Sequence, residues 1–507
     1  MKTNFKHSRF LPTVILLISL LQTVNATLNT YPGLAGDLYK STRYKVSVTQ
    51  AGNTYDSYVY NSVNTYTETK GNNRALMTDD NNFCTFSFDG SVKVTVNLPL
   101  RTTAITSVEI RPKIKGISAT WSGNTITIPI SKTGNYYVCI NGEEKNPLFI
   151  FANPLEVNAP AASGNPDVEY LTPKTFTSTF TSTKSIWYFA PGVYDAGISG
   201  GTLTNIPSGT TVYLAGGVYL KGRLTASNSS TQLTVKGRGI LSGIEIPYVR
   251  GSYGTALIGG GKDGNTNLNL EGIILTDAPQ QLCMSYSKNG SIIDNLKLFA
   301  WYVNSDGISL EQNCIVRNCF LKVNDDNLKP MKSNETYKDN VVWIQPFGSA
   351  LQFSWNTTKP TTNIMVDGLD VIGFDKGNLT GVSANASVVC FQNLKGSTFS
   401  NNIVQNVRSD VKVYKIFTLQ IKSTKSGFDQ GLGTIDGMLF KNFTFPLGAK
   451  YPSTFDGNGT ETGEIKNITF HDIMIGGTLL NEENSSTYLI RSGLTSNFYY
   501  KTVLDSY

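Results

Sequence analysis

Short segments with apolar residues at alternate positions occupy the first third of the chain. Val92–Val96 and Thr125–Ile130 alternate strictly, and Tyr44–Val48 and Ser107–Arg111 are similar short apolar segments. Alternation with a period of two is typical of a β-strand with one buried face. Turn sequences such as Ser122-Gly123-Asn124 separate the segments. The pattern predicts an N-terminal β-sandwich over residues 27–160.

Beyond residue 160 the pattern changes to a repeat. Residues 158–166 are rich in Ala, Pro, Gly and Asn and indicate a linker. After it, a motif recurs in which a polar residue and then Asn, Asp or Gly precede the first apolar residue of a strand. The middle residues of the motif are Gly272, Asn295, Asn318, Asn340, Gly368, Asn402, Asn442 and Asp472. The first three intervals are 23, 23 and 22 residues, and the later intervals are longer.

A period in the low twenties indicates a solenoid in which each coil holds three short strands. Leucine-rich repeats have a similar period, but their leucine pattern is missing from this sequence. Asn and Gly at the centre of the motif suit left-handed turns between strands. The sequence therefore predicts an all-β protein in which a right-handed parallel β-helix, residues 161–507, follows the β-sandwich.

The first 26 residues indicate a secretory signal. Lys2, Lys6 and Arg9 form a basic start before the apolar run Leu11–Leu21, and Ala26 is a small residue at the cleavage position. We predict a signal peptide over residues 1–26 and a secreted, extracellular protein without a membrane partner after cleavage. Cleavage would lower the formal net charge from +6 to +3, and no Lys/Arg cluster predicts a nucleic-acid partner.

Secretion would permit disulfide bonds and glycans. Cys84 and Cys139 are a candidate pair in the sandwich, whereas disulfides and buried free thiols are equally compatible with the other four cysteines. N-glycosylation sequons begin at Asn228, Asn289, Asn334, Asn356, Asn378, Asn385, Asn442, Asn458, Asn467 and Asn484. They predict a glycoprotein, and Asn in β-helix turns is the alternative explanation for several of them.

Two acidic clusters lie slightly less than one coil apart. Asn304–Gly307 contains one carboxylate and Val323–Asn327 contains two. Because residues one coil apart stack at about 4.8 Å in a β-helix, we expect Asp306, Asp325 and Asp326 to meet on one face. Such a trio suits glycoside hydrolysis, because negative neighbours keep one carboxyl protonated as the acid while another activates water. Turn formation and calcium binding are the alternative explanations.

Aromatic and polar residues near the clusters are candidates for substrate contact. Trp301, Tyr302 and Trp355 offer ring faces on which sugars can stack, and core packing is the alternative for such residues. Lys329 and Gln352 can hydrogen-bond to sugar hydroxyl groups, or they are ordinary surface residues.

Histidine chemistry is limited by residue supply. The chain has two histidines: His7 would leave with the signal peptide, and His471 lies in a predicted outer strand, where we interpret it as structural. A His-rich metal site is therefore excluded, and the sequence implies no metal and no organic cofactor.

The acidic clusters and their surroundings resemble glycoside hydrolase family 49, which includes dextranases and isopullulanases. The similarity extends over Trp301–Gly307, Val323–Lys329 and Gln352–Trp355, and upstream over Trp187–Tyr194 and Thr211–Tyr219. Polygalacturonases of family 28 share the fold and a similar acidic trio. Their Gly-His-Gly and Arg-Ile-Lys blocks are not found in this sequence.

The resemblance implies an inverting endo-hydrolase of α-glucan, with the α-1,6 links of dextran as the expected substrate. It implies that Asp325 is the general acid and that Asp306 and Asp326 hold and activate the water. We expect a monomer whose partner is a polysaccharide. The alternatives are hydrolysis of another polysaccharide, such as pullulan or polygalacturonate, and a non-catalytic carbohydrate-binding β-helix at a cell surface.

Overall fold

The structure of the chain is a computed structural model. It describes residues 26–63, 80–176, 180–196, 203, 205–227, 231–247, 256–259, 266–284, 289–355, 357–375, 385–392, 394–421, 433–457 and 463–502. The predicted signal peptide lies outside these residues apart from Ala26. Within the described ranges, no helix is long and apolar enough to cross a membrane.

Two packed β-sheets form the N-terminal part of the described chain. Their strands are β1 (Leu28–Thr30), β2 (Lys45–Gln50), β3 (Asn53–Ser57), β4 (Val59–Val63), β5 (Asp80–Phe88), β6 (Val92–Asn97), β7 (Val108–Arg111), β8 (Thr120–Ser122), β9 (Thr125–Ile130), β10 (Gly134–Ile140) and β11 (Leu148–Asn153). One sheet has the order β3-β2-β6-β9-β8, and the other has the order β1-β5-β11-β10-β7 with β4 beside β5. Strand β6 alternates buried and solvent-facing residues, as its sequence predicts. Two 3₁₀ helices, Ala35–Asp37 and Lys113–Lys115, lie in the connections.

The rest of the described chain coils into a β-helix with two long sheets. The strands of the larger sheet are β12 (Val168–Leu171), β13 (Ile186–Phe189), β14 (Gly192–Asp195), β15 (Thr211–Leu214), β16 (Val218–Lys221), β18 (Gln232–Gly237), β19 (Ile240–Ser242), β21 (Asn267–Glu271), β22 (Ile274–Thr276), β24 (Ile292–Asp294), β25 (Lys297–Phe299), β27 (Ile315–Arg317), β28 (Phe320–Val323), β30 (Thr336–Ile344), β32 (Thr361–Thr362), β33 (Met365–Phe374), β35 (Thr398–Ser409), β37 (Thr434–Phe445), β39 (Glu464–Ile475), β40 (Thr478–Leu479) and β42 (Thr495–Lys501). The strands of the second sheet are β17 (Leu224–Thr225), β20 (Ile258–Gly259), β23 (Cys283–Met284), β26 (Ile308–Ser309), β29 (Leu328–Lys329), β31 (Leu351–Ser354), β34 (Ser387–Phe391), β36 (Lys415–Gln420), β38 (Ser453–Asp456) and β41 (Leu489–Ser492). A single-turn α-helix, Ser485–Tyr488, precedes β41.

Strands of successive coils pair in parallel, as in the pairs β26–β29 and β28–β30. The predicted all-β class, with an N-terminal sandwich and a right-handed parallel β-helix, is confirmed. Inward-facing apolar residues from all coils form one continuous core along the helix, for example Leu298, Leu321 and Val342 on consecutive coils. Each coil buries its apolar residues on the coils before and after it, so stability comes from stacking.

The recurring sequence motif corresponds to a column of left-handed turns. Its residues all have a positive φ and are Gly272, Asn295, Asn318, Asp339, Gly368, Asn406, Asn442 and Asp472. The structure corrects two predicted positions. The fourth turn residue is Asp339 and not Asn340, and the sixth is Asn406 and not Asn402. Asn402 follows Asn401, which belongs to a second column of left-handed turns.

All six cysteines are buried and free within the part of the chain that the structure describes. The predicted pairing of Cys84 with Cys139 is therefore wrong. Cys84 lies in β5 and Cys139 in β10, and strand β11 lies between them in the same sheet, so the two thiols occupy non-adjacent strands. For the other four cysteines the sequence is compatible with disulfides and with buried free thiols, and the structure supports buried free thiols.

The sandwich packs against the outer face of the larger helix sheet. Phe149 of β11 and Phe299 of β25 meet with ring centroids 5.6 Å apart. Two fully buried lysines of the helix also reach the sandwich: Lys297 donates a hydrogen bond to Asn153, and Lys322 donates one to strand β5. Aromatic packing and buried polar contacts thus fix the sandwich on the coils that carry the candidate site.

Candidate active site

Consecutive coils place Asp306 directly beside Asp326. Strands β26 and β29 pair with Ile308 opposite Leu328, so the residues two positions earlier are opposite as well. The Gly307 N–H donates to the Asp326 carbonyl oxygen at 2.9 Å and continues the ladder. The same register places Gln281 on the preceding coil and Ser349 on the following coil. We call these four residues, Gln281, Asp306, Asp326 and Ser349, the acidic column.

Two glycines allow the coils to approach closely at this point. A Cβ atom at Gly307 would lie 2.3 Å from the Asn327 carbonyl oxygen, and one at Gly348 would lie 2.0 Å from the Asp325 carbonyl carbon. Both distances are shorter than any van der Waals contact, so a larger residue would push the coils apart. Asn304 adopts a left-handed conformation with a φ of 65° in the turn that leads to Asp306.

The three predicted carboxylates converge on one face of the helix, as the coil spacing predicts. One carboxylate oxygen from each of Asp306, Asp325 and Asp326 lies within 4.8 Å of the others. Asp306 and Asp326 are buried, with 7% and 4% of their surface exposed, whereas Asp325 is partly exposed. A ligand arriving from solvent would therefore meet Asp325 first.

Backbone groups orient the Asp325 carboxyl. The Asn304 N–H donates to its Oδ2 at 3.0 Å, and the Asp326 N–H donates to its Oδ1 at 3.0 Å. Burial raises the pKa of Asp325 well above its ordinary value, and the charges of Asp306 and Asp326 raise it further. The Lys329 charge and the Asn304 N–H lower it but do not cancel the rise. This carboxyl is thus held in its protonated form to an unusually high pH.

Lys329 lies between the two stacked carboxylates. Its Nζ is 3.2 Å from Asp306 Oδ2 and 3.9 Å from Asp326 Oδ2. Burial raises the pKa of Asp326 to about 6; Lys329 opposes this rise, and the charge of Asp306 adds to it. The site therefore combines a carboxyl that resists ionisation with a pair of carboxylates beside one cation.

A metal ion is the other group that this donor set could hold, since three carboxylate oxygens converge within 4.8 Å. The Lys329 ammonium, 3.2 Å from Asp306, already supplies a positive charge to the pair. A divalent cation would have to share the site with this ammonium, which disfavours its binding by charge repulsion.

The structure corrects two residues predicted to contact substrate. Trp301 is fully buried, and the Lys322 ammonium lies 5.3 Å from its ring centre, so the ring has no free face for a sugar. Its carbonyl accepts a hydrogen bond of 2.6 Å from Asn324, which supports the acidic cluster from beneath. Gln352 is also fully buried, and its amide donates to the Ser354 carbonyl.

The other three predicted contact residues lie where a ligand can reach them or beside the carboxylates. Tyr302 and Trp355 are partly exposed. Lys329 is 8% exposed and is engaged by Asp306. His471 belongs to strand β39 of the larger sheet, where its Nδ1 lies 2.7 Å from Asp472 Oδ2.

Three residues of the site were not identified from the sequence. Gln281 donates to Asp306 Oδ2 at 3.3 Å. The Ser349 N–H and hydroxyl each donate to Asp326 Oδ1 at 3.1 Å, and the Asn385 amide donates to the same oxygen at 3.2 Å. Ser349 lies one coil after Asp326, so the coil period could have identified it from the sequence. No local signal marks Asn385, which lies 59 residues beyond Asp326.

Comparison with known proteins gives matches over both parts of the chain. Residues 23–175 match the family described as glycosyl hydrolase family 49 N-terminal Ig-like domain. Isopullulanase of Aspergillus niger is 24% identical over 516 residues, which cover 90% of this chain and 89% of that protein. Dextranase of Arthrobacter sp. (strain CB-8) is 24% identical over 438 residues, which cover 75% of this chain and 66% of that protein.

A solved structure has the same architecture. Dex49A from Penicillium minioluteum superposes with a TM-score of 0.72 at 20% sequence identity, and the superposition covers 93% of this chain and 96% of that one. At this identity the likeness establishes the fold alone.

Proposed function

We propose that this member of glycoside hydrolase family 49 is an endo-acting, inverting hydrolase of α-glucan. We further propose that the α-1,6 links of dextran are its main substrate. The observation that carries the proposal is the convergence of Asp306, Asp325 and Asp326 within 4.8 Å beside the ammonium of Lys329.

Asp325 is the general acid in this proposal. It is the most exposed carboxyl of the three, and its raised pKa keeps a proton available for transfer to the leaving oxygen. Asp306 and Asp326 hold the water that attacks the anomeric carbon. The Lys329 ammonium lies 3.2 Å from Asp306 and 3.9 Å from Asp326, so it attracts the negative charge of this pair.

The spacing of the carboxylates bears on the stereochemistry. Inverting enzymes commonly separate acid and base by about 6.5–9.5 Å so that water fits between them, whereas the oxygens of this trio lie within 4.8 Å. We propose that the water binds beside the stacked pair Asp306 and Asp326 instead of between acid and base. Attack from that side and proton donation by Asp325 from the other side would invert the anomeric centre.

Support for an α-glucan comes from the names of the relatives, which are an isopullulanase and dextranases. Tyr302 and Trp355 are the proposed sugar-stacking residues, because both aromatic residues are partly exposed and can offer a ring face to a sugar. We propose that the Lys329 ammonium, which donates to Asp306, also contacts the substrate.

We also propose that the protein is secreted as a monomer after removal of residues 1–26, with a sandwich domain over residues 27–160 and a catalytic β-helix over residues 161–507. Among the described sequons, Asn289 is exposed, whereas Asn385 is buried and bonded to Asp326. Asn289 is thus compatible with a glycan on the folded protein, and Asn385 is not.

A panel of polysaccharides tests the proposed activity. Purified protein is incubated with dextran, pullulan, starch and polygalacturonate, and reducing ends and polymer size are followed together. We expect fastest release from dextran, with polymer size falling early as endo-cleavage requires. The variant Asp306→Asn, checked for folding by thermal melting, should lose at least about 100-fold in rate. Folded protein that cleaves no α-glucan would contradict the proposal and favour a non-catalytic binding protein.

Pullulan is the second candidate substrate. The alignment with isopullulanase covers 90% of this chain, against 75% for the Arthrobacter dextranase. If pullulan is cleaved faster than dextran in the same panel, the α-glucan assignment stands and the linkage preference changes.

A further inference from the structure

Both carboxylates of the stacked pair are buried, but their hydrogen-bond donors differ. Asp306 Oδ2 receives the Lys329 ammonium at 3.2 Å and the Gln281 amide at 3.3 Å. Among the described residues, the hydrogen-bond donors to the Asp326 side chain converge on Oδ1 and are neutral: two come from Ser349 and one from Asn385. The nearest cation to Asp326 is the Lys329 ammonium, 3.9 Å from Oδ2.

From this difference, and resting on the proposed hydrolase function, we infer that Asp326 is the general base and that Asp306 is the anion that orients the water. We infer further that Gln281 and Asn385 are positioning residues that maintain these separate roles.

The Lys329 ammonium makes a charge-assisted hydrogen bond to Asp306 Oδ2, and bonds of this kind are about twice as strong as neutral ones. A water O–H can hydrogen-bond to this carboxylate without displacing the ammonium. The Gln281 amide donates to the same Oδ2 and helps to fix the carboxylate plane, so we assign Oδ1 to the water.

Three neutral donors on Asp326 Oδ1 occupy that oxygen and hold the side chain in one rotamer. Oδ2 is then the oxygen that can take a proton. Burial raises the pKa of Asp326 to about 6, so this carboxylate accepts a proton more readily than an ordinary aspartate. The charged and titratable groups that face it are Asp306, Asp325, Lys329 and the buried thiol of Cys390.

The chemical step balances with water as the sole co-reactant. The water oxygen forms a bond to the anomeric carbon while one of its protons passes to Asp326 Oδ2. The bond from the anomeric carbon to the glycosidic oxygen breaks, and that oxygen takes the proton of Asp325. Asp326 is then protonated and Asp325 is ionised, and exchange with solvent restores both.

Two variants separate the roles of the pair. For Asp326→Asn we expect the acidic limb of the kcat/KM profile, centred near pH 6 in the wild type, to disappear, with a rate loss of about 10²–10⁴-fold. Azide, which needs no base, should restore turnover of the dextran substrate and yield a β-glycosyl azide. Asp306→Asn should retain the acidic limb at a reduced rate and should not respond to azide. The reverse pattern would overturn the assignment.

The pH at which the acidic limb of the kcat/KM profile falls also tests the positioning residues. Asn385→Ala or Ser349→Ala removes a donor from Asp326, which should move the acidic limb to higher pH because the ionised form loses stabilisation. Gln281→Met should lower kcat without moving that limb. Gln345→Met is the matched control, because Gln345 is also a buried amide and donates to the Ala300 carbonyl outside the acidic column.

The outcomes distinguish this inference from the proposed function. If the wild type cleaves no α-glucan, the proposed function fails before any variant is compared. If it does cleave but the Asn385→Ala and Ser349→Ala variants leave the limb where the Gln345→Met control leaves it, the proposed function stands and the inference on positioning is wrong. Ser349→Ala retains the backbone N–H that donates to Asp326, so this variant remains informative if the Asn385→Ala variant does not fold.

Discussion

Replacing Asp325 with Asn tests proton donation with little change in shape. The pKa of Asp325 is raised by burial and by two neighbouring carboxylates, so its carboxyl remains uncharged at a pH where an ordinary aspartate is ionised. An amide is also uncharged but cannot donate a proton to the leaving oxygen. It has one oxygen to accept from the N–H groups of Asn304 and Asp326. We therefore expect a loss of about 1–3 kcal/mol in the free energy of unfolding.

Activity should fall much more than stability, and by an amount that depends on the leaving group. On dextran we expect kcat to fall by about 10²–10⁴-fold, equivalent to roughly 3–5 kcal/mol in the activation barrier. Fluoride leaves without a proton, so hydrolysis of α-isomaltosyl fluoride should remain within about tenfold of the wild-type rate. The assay is initial rates on both substrates at one pH, together with urea denaturation of both proteins.

Asp294→Asn is the matched control. Asp294 lies in the larger sheet and accepts hydrogen bonds from Arg317 and Asn318, away from the carboxylate trio. Its replacement should change neither rate by more than about twofold. Equal losses on dextran and on the fluoride for the Asp325 variant would refute proton donation by this residue.

Three further predictions concern charge and packing. Lys329→Met removes the ammonium that opposes the raised pKa values of the neighbouring carboxyls, so the acidic limb of kcat/KM should move to higher pH; an unmoved limb would show that this charge is ineffective. Gly348→Ala forces a Cβ to within 2.0 Å of the Asp325 backbone, and the resulting displacement should lower kcat by about 100-fold, whereas unchanged kinetics would contradict the close packing. Burial lowers the pKa of Lys297 to about 7, so above that pH the unfolded chain binds more protons than the folded chain and the free energy of unfolding rises with pH. In urea denaturation at pH 7 and pH 9, Lys297→Met should remove up to about 1.4 kcal/mol per pH unit of that rise, and an equal pH dependence in both proteins would argue against a depressed pKa.

The parts of the fold that were predictable from sequence are those set by local repetition. The period of the turn motif identifies the coils, because one Asn, Asp or Gly per coil adopts the left-handed conformation. Where loops lengthen the coils, the left-handed turn residue moves by a few positions along the sequence. The motif therefore predicts Asn402, whereas the turn column contains Asn406. The convergence of the three aspartates follows from the same periodicity, since Asp306 and Asp326 are opposite residues of paired coils.

Burial and long-range contacts were not predictable in this way. An aromatic residue beside an acidic cluster can line a cleft or be buried in the core, and Trp301 is buried with its ring beside the Lys322 ammonium. Asn385 reaches Asp326 across an insertion whose length no periodic signal reports. Two isolated cysteines carry no information on strand order within the sandwich. The sequence therefore leaves Cys84 and Cys139 as a candidate pair, although strand β11 separates them.

The anomeric configuration of the first product is the most direct test of the account. It shows whether the stacked carboxylates Asp306 and Asp326 deliver water to the face of the anomeric carbon opposite to the departing sugar. Dextran is digested with the wild-type protein in an NMR tube, and the anomeric proton signals are recorded before mutarotation. The account predicts that the new reducing ends appear first as the β-anomer and equilibrate later to the α-anomer. Initial formation of the α-anomer would mean that a carboxylate attacks the sugar itself, and it would contradict the roles given to Asp306 and Asp326.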